Sequence, residues 1–288
     1  MTSTDTHRPG ADARASARAS GPTRTDLARR LTVTVAAIAC VTGTLIGTGV
    51  VGTPVADTAG GALSDDATLL APAGPAFSIW SVVYAGLAAY TIWQWLPAQA
   101  ASSRMRATGW LAAVSMVLNA GWLLVTQQDQ VWGSVVVIVA LLAVLVELVR
   151  RLHRDPATSK VELVAVDGTF GLYLGWVAVA TCANVAAALA SDDVTLAALP
   201  SALVVVLVAA VGVGMSWAFG GRWAVAAAIA WGLGWLAYGR VAEEPESTTV
   251  AVVATVAAVV VVLAAVARHR RSPALGGTAP ASHAAAVR

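Results

Sequence analysis

The side chains in this sequence that could do chemistry are aromatic rings and amides set inside apolar runs. Tyr173, Trp176, Ala180 and Asn184 recur every three to four positions, which puts them on one side of a helix turning by roughly 100° per residue. Asn119 and Trp122 stand about 60° apart by the same rule, and Phe77, Trp80 and Tyr84 share a third stripe. Apolar walls with a few placed polar groups are what a small-molecule pocket needs. An amide turned unsatisfied into lipid costs about 2 kcal/mol or more, so each stripe must face protein or a cavity. Two readings stay open at this point. The groups line a pocket, or the amides join helices at about 0.6–2 kcal/mol each with the rings as packing.

Other chemistry is poorly supplied. G-x-S-x-G, H-E-x-x-H and phosphate-binding glycine loops are all missing from the sequence, and no enzyme is expected. The four histidines, His7, His153, His269 and His283, fall in tails or in one loop, so no axial ligand for a metal or haem iron is expected inside a membrane. Cys40 and Cys182 read as small buried hydrophobes. Glu147 lies within reach of Arg150 and Arg151. Asp167 falls in the first turn of an apolar run, where a helix N-terminus favours a carboxylate. A proton relay would need charge deeper in the membrane, and no half-to-half repeat suggests an inverted-repeat transporter.

The elements that must position these groups follow from composition. The chain of 288 residues is 58% hydrophobic and 12% charged, with a mean hydropathy of +0.73. That is an all-α integral membrane protein. Eight runs are long enough to span a bilayer: 31–52, 77–96, 107–126, 131–149, 163–190, 195–218, 221–239 and 248–267. Residues 1–30 and 272–288, rich in Ala, Arg, Ser and Thr, read as disordered tails. Arg29-Arg30 is the basic flank of the first span, since the apolar run after it is longer than a signal segment. With eight spans and a cytoplasmic N-terminus, every Lys and Arg except Arg240 falls on the cytoplasmic side, as the positive-inside rule requires. Both termini are then cytoplasmic. The arginine-rich, Ala/Val-rich composition suggests a bacterial inner membrane.

This topology sets depths. Phe77, Trp80 and Tyr84 enter from outside, while Asn119, Trp122, Ala180 and Asn184 lie at mid-depth and outward. Three helices thus bring aromatic and amide groups to one level. Gly171 and Gly175 form a G-x-x-x-G pair that permits close helix approach. In the seventh run Trp223 and Tyr238 fit interfacial belts. Trp231 and Trp235 share a stripe that packs helices or lines a second cavity, with Gly232 and Gly234 favouring packing.

The patterns F-S-I-W-S-V-V-Y (77–84), L-N-A-G-W (118–122) and Y-L-G-W-V-A-V-A-T-C-A-N (173–184) resemble the tryptophan-rich sensory protein family, the TspO/MBR group that includes the mitochondrial translocator protein. The resemblance covers 31–190 and implies a five-helix bundle there, with three additional helices at 191–271. It implies a cavity for a tetrapyrrole-like, apolar ring-shaped molecule, opening toward the first loop and lined by Trp80, Tyr84, Asn119, Trp122, Tyr173, Trp176, Ala180 and Asn184. Any porphyrin or haem-type ligand would be held without axial histidine, and no cofactor is expected. The family's first loop carries a Trp/Pro-rich lid. Here TPVADTAGGALSDDATLLAPAGPA (53–76) has no Trp and carries Asp65 and Asp66, which disfavours an anionic ligand. Expected partners are membrane lipid and an apolar small molecule, with no nucleic acid; a homodimer stays open. The alternatives are a small-solute transporter and a ligand-free scaffold.

Overall fold

The computed structural model describes residues 21–47 and 53–271. Eight helices are long and apolar enough to cross a membrane: α1 (Arg24–Gly47), α2 (Ile79–Trp93), α3 (Ser103–Thr126), α4 (Val131–Arg154), α5 (Lys160–Ser191), α6 (Ala198–Ala218), α7 (Trp223–Ala242) and α8 (Thr248–Arg271). Each overlaps one predicted run, and the described residues contain no strand. The chain is an all-α membrane protein. Of the expected tails, residues 1–20 and 272–288 lie outside the described residues.

The helix α1 begins at Arg24 rather than at Leu31, which shortens the expected tail 1–30. Its start is a reciprocal cap. Thr23 Oγ1 accepts from Asp26 N, and Asp26 Oδ2 accepts from Thr23 N and Thr23 Oγ1. Asp26 also takes Nε and Nη2 of Arg106 on α3 at 2.8 and 2.6 Å. Arg29 lies across Gly109, where an added Cβ would stand 2.7 Å from Arg29 Cδ. A polar turn enters the fold here because its charges find partners.

Neighbouring helices pack in a chain: α1 along α3, α3 on α4, α4 on α5, α5 on α7, and α8 against both α6 and α7. The glycines of the G-x-x-x-G pair serve the α5–α7 contact. A Cβ at Gly171 would lie 2.8 Å from Ala224 Cβ, and one at Gly175 would collide with the Val225 carbonyl. Gly232 of α7 lies as closely against Val179. The turn between α6 and α7 needs glycine twice over. Gly220 and Gly221 have φ of 71° and 73°, and a Cβ on Gly221 would stand 2.8 Å from Ala265 O and His269 N of α8. The helix α7 is therefore docked on α5 by backbone proximity, and α8 is held in turn against α6 and α7.

The N-terminal ends of α1, α3, α5 and α7 share one end of the molecule, here the base. Asp167 sits differently from its expected place in a first helical turn. The helix α5 starts at Lys160, capped by Ser159 Oγ accepting from Glu162 N, and Leu163–Gly168 is a π-helical segment. In an α-helix residues i and i+5 diverge by about 140°, but a π turn aligns them. Glu162 and Asp167 thus converge on the buried Arg104, whose Nη1 donates to Glu162 Oε1 at 3.1 Å and Nη2 to Asp167 Oδ2 at 2.6 Å. Arg222, at the start of α7, donates to Asp167 Oδ1. Glu147 pairs with Arg150 and Arg151, as its spacing suggests.

Candidate functional site

At the opposite end, the three stripes meet under the loop joining α1 to α2. Trp80 stacks on Tyr84 with centroids 5.4 Å apart, as two α2 residues one turn apart can. The edges of Tyr173 and Trp176 meet Trp80 at 5.8 and 6.3 Å, and Phe77 meets Trp176 at 5.6 Å. These T-shaped contacts set the positive ring edge on the negative face.

The amides join helices. Asn119 Oδ1 accepts from Tyr84 Oη at 3.1 Å and from Cys40 Sγ at 3.5 Å, linking α3 to α2 and α1. Asn184 Oδ1 accepts from Trp122 Nε1 at 2.8 Å, and Asn184 Nδ2 donates to Ser134 Oγ at 2.8 Å. Ser134 Oγ donates in turn to Val131 O. Asn184 therefore ties α5 to α3 and α4. Both readings of the stripes hold at once, since the same amides also border open space.

That space has two adjoining chambers that share lining residues. The deep one, of about 70 Å³, is lined by Asn119, Trp122, Trp176, Ala180 and Asn184, with Ile138 and Leu141 of α4. The side one, of about 390 Å³, extends toward α1 and α2 and reaches Thr44, Ser81 and Tyr84. Trp80, Trp122 and Asn119 border both. The side chamber is within the range of small-molecule sites and the deep one is below it. Of the residues expected to touch a ligand, Tyr173 lines neither chamber. It is buried behind Trp80, and its hydroxyl donates to Ser115 O. Trp176 differs from the other polar groups. Its indole Nε1 is buried with no hydrogen-bond partner, and its ring lines the deep chamber.

The roof is the loop itself. Val55, Leu63, Ala67 and Ala71 replace the aromatic lid with aliphatic side chains, and α7 holds the roof down. Arg240, 1% exposed, donates Nη1 to Thr68 O at 2.9 Å and Nη2 to Asp65 O at 3.3 Å. Trp231 Nε1 donates to Ala76 O at 2.9 Å, and Ala73 N to Trp235 O at 3.4 Å. On the far side Gln127 Nε2 donates to Thr53 O, and Asp129 accepts from Ala59 N. Trp231, Trp235 and Tyr238 stack edge to face in a row along α7; of the two glycines beside them Gly232 meets Val179, while Gly234 meets nothing within 4 Å. Arg240, alone among the cations on this side, was the sequence signal for the anchor; its backbone-carbonyl partners in the loop carry no side-chain signature. Ser134 and Ser115 gave no signal at all.

Among the described residues no group of three or more His, Cys, Asp or Glu could hold a metal ion. The chambers are walled by indole and phenyl rings and bordered by the two amides.

No curated protein and no solved structure matches the chain. A family model described as TSPO-like protein matches residues 31–267. That match runs past the five-helix region through α6, α7 and most of α8, the helices that anchor the roof, and it covers well over half of the sequence. The chain belongs to the TSPO-like family.

Proposed function

We propose that this membrane protein binds a flat, apolar, uncharged small molecule in the chambers beneath the α1–α2 loop. The observation that carries the reading is the wall of indole rings, Trp80, Trp122 and Trp176, around the chambers, with Trp176 Nε1 buried and left without a partner. An unsatisfied buried donor costs about 1–3 kcal/mol, a cost that a ligand carbonyl or ring nitrogen would remove. In this reading the ring system lies in the side chamber against Trp80 and Trp122, with an acceptor edge directed at Trp176. Asp65 borders the side chamber, which favours a neutral ligand over a dianionic tetrapyrrole. The role is binding rather than catalysis. The basic base faces the cytoplasm of a bacterial inner membrane, with both termini on that side.

The test is tryptophan quenching on detergent-purified protein with protoporphyrin and with its neutral dimethyl ester. Saturable quenching at micromolar ester, weaker with the free acid, is the expected result. Trp176→Phe should weaken the ester about tenfold by removing the donor, and Ala180→Phe should fill the deep chamber and weaken it further. Absence of saturable quenching by either compound, or affinity indifferent to both substitutions in folded protein, would overturn the reading.

A further inference from the structure

A second open region lies away from the roof. The helix α1 packs along α3 and meets α2 over only a short stretch, leaving a groove on the outer surface of the bundle. Ala37, Ile38 and Val41 form one wall, and Leu87, Ala88 and Ile92 the other. The hydroxyls of the groove are turned inward onto the helices. Thr34 Oγ1 donates to Arg30 O, and Thr91 Oγ1 to Leu87 O. The face offered outward is therefore apolar, about 10–12 Å long at the helical rise, and it stands at the depth of the hydrocarbon.

The basal end of the groove is built differently. Thr34 accepts from Trp95 Nε1 at 3.0 Å. The Trp95 ring, 39% exposed, carries the Arg30 guanidinium 4.3 Å from its centroid. Arg30 Nη2 donates to Trp95 O at 2.7 Å, and Gln94 Nε2 donates to Arg30 O at 3.3 Å. Arg30 Nε is left buried without a partner. Arg29 and Arg106 stand nearby with Asp26 as their shared carboxylate, so the surroundings of Arg30 are net positive. A clamped indole beside a partly exposed guanidinium held over its face, at the foot of an apolar groove, suits a lipid with an acyl chain and a phosphate.

We propose that the α1–α2 groove is a specific site for an anionic phospholipid of the leaflet at the base, its chain along Ile38 and Ala88 and its phosphate on Arg30 beside Trp95. This site is separate from the chambers under the roof, which it approaches only at Tyr84. A basic residue near a membrane surface discriminates for an anionic headgroup by about fivefold.

Native mass spectrometry of the full chain, titrated with phosphatidylglycerol and with phosphatidylcholine of the same acyl chains, tests it. Wild type should retain phosphatidylglycerol about fivefold more strongly. Arg30→Gln should bring the two lipids to parity, Arg30→Lys should keep the preference, and Ala88→Phe, which fills the exposed groove, should weaken both lipids. Equal retention by wild type, a preference unchanged in Arg30→Gln, or lipid binding unchanged in Ala88→Phe would each overturn the proposal. Displacement of the lipid by soluble glycerol phosphate would also overturn it, by showing a headgroup site that needs no groove. Should Arg30→Gln fail to fold, the wild-type comparison and Ala88→Phe still decide.

Discussion

At the residue scale, the amides do two jobs. Asn184 closes a three-helix junction through Trp122 and Ser134 while its edge borders the deep chamber. Asn184→Ala strands the Trp122 donor and should lower stability by about 1–2 kcal/mol, measured as the midpoint shift in denaturant unfolding in micelles. A larger loss in ligand affinity than in stability would show that the junction also shapes the chamber. The spacing of Tyr173, Trp176 and Asn184 was legible because helical periodicity needs no neighbours to be read. Their division of labour was not. The same stripe holds a chamber wall, a cross-helix amide and a tyrosine spent on Ser115 O, and only the partner helices distinguish them.

At the element scale, α7 and α5 carry the special features. The Arg240 guanidinium is the chief polar hold on the roof, and hydrogen bonds from charged donors contribute about 1.5–3 kcal/mol. Arg240→Gln should raise amide hydrogen exchange across residues 63–73 by roughly tenfold or more, with exchange in α3 unchanged. The π segment of α5 makes a second demand. Arg104→Met leaves Glu162 and Asp167 buried with one cation fewer, which should cost about 3–5 kcal/mol. Replacing Arg104, Glu162 and Asp167 together by apolar residues should recover much of it, read as the unfolding midpoints of the two variants. An irregular turn is not written in hydropathy, so Asp167 looked like an ordinary N-terminal carboxylate until Arg104 and Arg222 were seen on either side of it.

At the scale of the whole molecule, the last three helices belong with the first five. The roof is bonded to α7, Asp167 is bonded to Arg222, and Gly171 and Gly175 lie on Ala224 and Val225. A chain ending after Asp193 would keep every expected ligand contact from the resemblance yet lose the roof anchor and Arg222, one of the two cations bonded to Asp167. Such a fragment should show no saturable binding of the protoporphyrin ester, and co-expressing residues 194–288 should restore it. Binding by the fragment alone at wild-type affinity would make the added helices dispensable.

The sequence by itself determined that the chain crosses a membrane, how many times, which end is basic, and which rings and amides lie at one depth. Those properties follow from length, apolarity, charge placement and helical period, all of them local along the chain. Tertiary structure decided which amide meets which helix, that the glycine pair serves the α5–α7 contact, that Arg240 holds the roof, and that α1 and α2 stand apart to leave a groove. These depend on the order in which near-identical apolar helices pack side by side. Within a bilayer every apolar face is equally at home against lipid or protein, so hydropathy carries no information about neighbours.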